Sequence, residues 1–135
     1  MFKKNKPNKY LMSKSVSQYY RNLKITPLKN RQWKLLENYK FGSIIVPKGY
    51  ITNGADIPRI FWSFIPPNDT SILPAVVLHD YLIDNNNWLL ANQIFESMLN
   101  KLKIGKFKKF VLVFGVNLRY RYLQITNQLG DKNAN

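Results

Sequence analysis

Between residues 32 and 52 polar and apolar side chains alternate with a period near two, and beyond residue 69 the apolar positions fall at helical spacing. A chain with that switch has to pack a small sheet against helices. Trp33, Leu35, Glu37 and Tyr39 alternate with Lys34, Leu36, Asn38 and Lys40, Gly42 punctuates, and Ser43-Ile44-Ile45-Val46 supplies a β-branched run. Pro47-Lys48-Gly49 reads as a turn and Tyr50-Ile51-Thr52 as a short continuation. The expectation is an antiparallel meander over residues 32–52.

Three helices are predicted after it. Asp69, Thr70 or Ser71 can cap the first, Pro74 is tolerated in its opening turn, and it runs to about Ile83. Asn86 or Asn87 can cap the second, from Trp88 to about Leu102, with Ile94, Phe95, Met98, Leu99 and Leu102 in one stripe and Gly105 closing it. The third runs from about Lys106 to Leu123 or a few residues beyond. Phe107, Phe110, Val111, Phe114 and Leu118 share a face, while Val113 and Val116 make other sides apolar, which predicts a buried helix. The predicted fold is α+β: a small antiparallel sheet packed against three C-terminal helices. One domain is expected over residues 10–129, between a disordered basic tail at 1–9 and a frayed end at 130–135. Residues 10–31 show no clean period, and Pro27 breaks any helix there.

A chain of 135 residues with 45% hydrophobic content can bury an ordinary core without a metal or disulfide staple. It has no cysteine, which removes thiol nucleophiles, disulfides and thiolate zinc sites. The basic start Met1–Lys9 lacks a following apolar stretch, so no signal peptide is read. The longest apolar run, Phe110 to Val116, has seven residues, where a spanning helix needs roughly twenty.

The net charge of +14 is unevenly distributed. Residues 1–36 carry ten Lys/Arg and no acid, and residues 101–123 carry seven and no acid. The segment between them holds three basic residues against six acidic ones. Such flanks attract polyanions, with nucleic acid and acidic proteins the favoured partners.

His79 is the single histidine. That excludes phosphohydrolases needing several histidines and zinc peptidases built on two or three. No Gly-x-Ser-x-Gly elbow and no phosphate-cradling glycine loop is present. What remains is a polar cluster. His79 and Asp80 sit mid-helix in an apolar stretch, and the loop Thr52-Asn53-Gly54-Ala55-Asp56 offers a hydroxyl, an amide, a carboxylate and a permissive backbone. Asp56 with His79 could form a carboxylate-oriented general base. Asp56, His79 and Asp80 could hold one divalent metal, although nothing in the sequence requires one. The competing reading is a latch, in which a carboxylate on the helix anchors the loop and the histidine makes one satisfied bond.

Three further features have two uses each. Phe61, Trp62, Phe64 and Pro66-Pro67 could pack on the sheet or wall a ligand site. Arg119-Tyr120-Arg121-Tyr122 could stack on bases or snorkel from a helix surface. Lys106-Phe107-Lys108-Lys109-Phe110 could lie on an anionic membrane, but the phenylalanines are better used as core, so peripheral membrane contact is not favoured.

The segment from Val46-Pro47-Lys48-Gly49-Tyr50-Ile51-Thr52-Asn53-Gly54-Ala55-Asp56-Ile57-Pro58 through Phe61-Trp62 and Pro66-Pro67 to Ala75-Val76-Val77-Leu78-His79-Asp80-Tyr81-Leu82 resembles the domain of unknown function 1353 family, widespread in phages and prophages. That family reads Val-Pro-x-Gly-Phe-x-Thr-Asp-Gly-Ala-Ser-x-Pro, then Ala-x-x-x-His-Asp-Tyr-Leu, then Ala-Asp ahead of a Phe. The resemblance covers about residues 32–120. It implies context rather than a reaction: a phage or prophage accessory protein, in the bacterial host cytoplasm or associated with the virion. This chain departs from the pattern at Asn53 and Asn92, where aspartates are common, and at Asp56, where serine is common. Losing two carboxylates weakens a metal or acid–base site, and Asp56 partly compensates.

Two function classes follow. One is an accessory or interaction protein whose basic flanks, including Lys106, Lys108, Lys109, Arg119 and Arg121, bind a polyanion or protein. The other is a small hydrolase-like enzyme using His79, Asp80 and Asp56, with Thr52, Asn53, Gly54, Trp62 and Tyr81 around them.

Overall fold

A computed structural model describes residues 16–54, 59–66 and 69–126. The fold is α+β. Helix α1 covers residues 16–21, followed by strands β1 (Ile25–Pro27), β2 (Trp33–Leu35), β3 (Tyr39–Phe41), β4 (Ile44–Val46) and β5 (Ile51–Thr52). Three helices come after them: α2 (Leu73–Asp84), α3 (Trp88–Lys101) and α4 (Lys106–Ile125).

The expected single meander is instead two small sheets. One has the order β1-β2-β5 and the other is the β3–β4 hairpin, all pairs antiparallel. Strand β1 falls in the stretch whose period was unreadable, and Pro27 is accommodated because β1 lies at the sheet's edge. The turn chemistry explains the rest. Gly42, at φ +60, opens a two-residue hairpin that pairs Phe41 with Ile44. Gly49, at φ +90, takes the third position of a turn closed by Tyr50 N–H donating to Pro47 O at 3.1 Å.

Leu35, Tyr39, Val46, Ile65, Ile72, Val77, Leu78, Met98 and Leu99 are almost wholly buried in one core. Tyr39 reaches through it, and its hydroxyl donates to Tyr19 O at 3.1 Å, while Tyr20 donates to Ser71 O at 2.7 Å. Both bonds dock α1 onto the domain. Burial first, and then the neighbouring Tyr19 and Tyr20, push the Tyr39 phenol well above its ordinary range, so it stays a neutral donor.

Asp69 begins the helical half. Its Oδ1 accepts from Ser71 N–H at 2.9 Å and Ser71 Oγ–H at 2.6 Å, capping a short 3-10 turn that leads into α2 with Pro74 in its first turn. Helix α2 ends with Asn86 at φ +62. Asn86 N–H donates to Ile83 O and Asn87 N–H to Leu82 O, the paired bonds of a Schellman ending. The end of α3 repeats that geometry, with Lys103 N–H donating to Asn100 O and Ile104 N–H to Leu99 O. Lys103 therefore occupies the left-handed position, at φ +58, that Gly105 was expected to fill. Gly105 instead precedes α4 as its N-cap.

Helix α4 departs furthest from expectation. It packs chiefly on α3, and Leu112 is its one buried residue. Val116 and Tyr120 continue that line partly buried. Phe107, Phe110, Phe114 and Leu118 lie on the opposite side and are more than half exposed. The helix has two apolar faces, α3 covers one, and composition alone does not choose between them.

Lys103→Gly should stabilise the protein by roughly 1 kcal/mol, because glycine carries no Cβ penalty at a left-handed helix ending. An unchanged or lowered urea midpoint would show that the Lys103 backbone is not held at positive φ.

Candidate functional site

Strand β5 and helix α2 meet face to face, and their spacings match. Two residues along a strand advance about 6.6 Å, and four along a helix about 6 Å. Tyr50 and Thr52 thus stand opposite Asp84 and Asp80. Thr52 Oγ1–H donates to Asp80 Oδ2, and Tyr50 O–H donates to Asp84 Oδ2 at 2.7 Å. The pairing runs antiparallel, since the earlier strand residue meets the later helix residue. Thr52 is 1% exposed and its Oγ1 also accepts from Gly54 N–H at 3.3 Å. Burial, then the Asp84 hydrogen bond, then the charges of Asp80 and Asp84 push the Tyr50 phenol far above its ordinary range, so it remains a donor. Tyr81 sets its ring edge-on against Tyr50, centroids 5.5 Å apart.

The loop after Thr52 is tied to the β1–β2 connection. Gln32 Nε2–H donates to Asn53 Oδ1 at 2.9 Å. Gly54 sits at φ +77, where an added Cβ would come within 3.4 Å of Arg31 O. Trp62 is partly buried against the core, with the guanidinium of Arg59 5.0 Å and that of Arg31 5.6 Å from its ring centroid. Asp56 lies outside the described residues.

His79 points elsewhere. Its Nε2 lies 2.8 Å from Asn92 Oδ1 on α3, and its ring packs on Phe95. Asn92, which is buried, donates through Nδ2 to Val116 O and Asn117 Oδ1, each at 3.2 Å, on α4. Two acceptors around Nδ2 fix the amide orientation, so Oδ1 faces the histidine and His79 Nε2 carries the proton. Nδ1 is then the ring's lone-pair nitrogen. Burial lowers the His79 pKa below its ordinary 6.5, the Asn92 bond opposes this, and the positive charge of Arg119 adds to the lowering. A neutral imidazole results at pH 7. An aspartate at position 92 would instead favour the imidazolium.

Adjacent helical residues point about 100° apart, and here the divergence is complete: Asp80 faces the sheet and His79 faces α3. Among the described residues no three His, Asp or Glu side chains gather as a metal site. The cluster joins α2 to β5 on one side and to α3 and α4 on the other.

The basic residues of α4 also differ from one another. Lys108 forms an ion pair with Asp69 and donates to Ser71 Oγ at 3.1 Å, so it belongs to the capped 3-10 turn that leads into α2. Burial raises the Asp69 carboxyl, but the Lys108 and Ser71 bonds outweigh it and hold the pKa below the usual value. Lys109 lies 4.0 Å from exposed Glu96, a contact worth little. Lys106, Arg119 and Arg121 are exposed. Sequence reading did not find the Asp84–Tyr50 and Asp69–Lys108 contacts. The first had a signal: carboxylates four apart on a helix and hydroxyls two apart in the segment that enters β5.

A family model described as "Protein of unknown function (DUF1353)" matches residues 32–116. No curated protein and no solved structure matches the chain.

A double-mutant cycle on Thr52→Val and Asp80→Asn should give a coupling of about 1–3 kcal/mol by urea unfolding, and additive effects would break the latch assignment. His79 sets a pH dependence as well. Its folded pKa is lowered, so below about pH 6.5 the unfolded chain binds the proton that the folded chain rejects. Stability should fall between pH 7 and pH 5, above the range where Asp69 titrates, and His79→Gln should flatten that slope. An equal slope in the variant would assign it to other groups.

Proposed function

This chain belongs to the DUF1353 family, and within it we propose that the chain is a non-catalytic accessory module of phage or prophage type that binds a polyanionic or acidic partner. Its place would be the bacterial host cytoplasm or the virion. The observation that carries this reading is the division of the His79-Asp80 pair. Each side chain is engaged between elements, His79 with Asn92 and Asp80 with Thr52. Those bonds supply a rigid frame. Along residues 101–123 the exposed charged side chains are Lys101, Lys103, Lys106, Arg119 and Arg121, with no acid in that segment. A one-signed surface on a rigid frame steers a partner of the opposite sign.

The hydrolase-like alternative needs Asp56, His79 and Asp80 to converge on one metal or one substrate atom. The two helix positions are held apart by bonds to different elements, and this favours the binding reading.

The full chain should be retained on immobilised heparin and released steeply by salt. Neutralising Lys106, Arg119 and Arg121 together with glutamine should shallow the log–log salt slope by up to about three. In parallel, His79→Ala should lower the melting temperature without changing the metal content of the purified protein. One equivalent of a transition metal, lost in that variant, would establish the hydrolase-like reading in its place.

A further inference from the structure

Resting on that polyanion reading, we propose that the polyanion is an anionic lipid surface, met by the open face of α4. Phe107, Phe110, Phe114, Leu118, Tyr122 and Ile125 are from 54% to 79% exposed. At 3.6 residues per turn they fall within about 120° of the helix circumference, along roughly 27 Å of its axis. Leu112 and Val116, which meet the rest of the protein, lie on the opposite side. The rings already associate with one another: Phe110 stacks on Phe114 at 6.0 Å, and Phe107 meets exposed Phe64 edge-on at 5.5 Å. With Phe64 the N-terminal half of this face forms an apolar patch, the kind of exposed surface that marks an interaction site.

Charge selects what covers the stripe. Helix α4 carries Lys106, Lys108, Lys109, Arg119 and Arg121 and no acid. On the helical projection Lys106 flanks the stripe on one side and Arg119 on the other, and Arg121 falls within its arc near the C-terminal end. A second copy of the chain would bring these cations against their equivalents, so self-association through this face is opposed. A nucleic acid would answer the cations but leave the aliphatic Leu118 and Ile125 without a partner. An anionic bilayer answers both: the apolar side chains enter the boundary between headgroups and acyl chains, and the flanking cations stay at the phosphates. The helix lies in the interface plane without crossing, consistent with the lack of any described helix long and apolar enough to span. Phenylalanines on the buried side of α4 would have argued against membrane contact, and the structure puts them outside.

The test is co-sedimentation of the full chain with vesicles of phosphatidylcholine containing about one-third phosphatidylglycerol, and with phosphatidylcholine alone. Binding should require the anionic lipid. Phe110→Ser with Phe114→Ser should weaken it roughly tenfold or more while leaving the melting temperature and heparin retention unchanged. Arg119→Gln with Arg121→Gln should weaken vesicle and heparin binding alike. Retention on heparin without vesicle binding would overturn the lipid assignment and leave the polyanion reading standing, whereas loss of both would remove the two together. Vesicle binding undiminished in the double serine variant would overturn the role of the stripe. A dimer in solution that the same variant dissociates would show that a second copy covers this face.

Discussion

The contact between Thr52 and Asp80, repeated one turn on by Tyr50 and Asp84, is what the rest of the domain is built around. A two-residue strand such as β5 has too little backbone pairing to hold its own position. It is held because strand and helix have nearly equal repeat lengths at this point, so two hydroxyl donors meet two carboxylates in register. A slip of one residue along the strand would turn both hydroxyls to the other face and strand both carboxylates. Register in the small sheet is thus fixed partly from outside it, by α2. The neighbouring Gly49 turn and Gly54 loop have the conformational freedom that this alignment demands.

On the far side of α2 the work passes to Asn92. One amide serves three elements: it accepts from His79 on α2 and donates to the backbone and side chain of α4. A carboxylate there could not do both. It would answer the histidine but face a backbone carbonyl with no proton to offer. The asparagine at this position and the neutral imidazole are consequently two parts of one arrangement, in which proton count matters more than charge.

Much of the fold is legible in the sequence because local rules agree with the tertiary answer. The alternation at Trp33–Leu35, the glycine turns at 42 and 49, and the stripe of α3 all appear where local chemistry puts them. The juxtaposition of the Thr52 loop with Asp80 is legible too, because both interrupt apolar surroundings. The direction of His79 is not, since the acceptor that receives it lies thirteen residues away on another helix. Strand β1 is hidden because it carries Pro27, which reads as a breaker and is tolerated only because the strand is at an edge. The face of α4 that packs is hidden for a different reason. Leu112 with Val116 and Phe110 with Phe114 are equally apolar lines, and only the shape of α3 decides between them.

The ion pair between Lys108 and Asp69 joins the capped turn that leads into α2 to the first turn of α4. Roughly forty residues separate the two partners, so a ribosome extending the chain at about 5–20 residues per second delivers the cap seconds before its counter-charge. During that interval the start of α2 presents an unbalanced carboxylate, and the core beneath it can close only provisionally. Arrival of α4 therefore completes the entry to α2, and a late helix acts as the fastener of a fold whose centre was synthesised earlier.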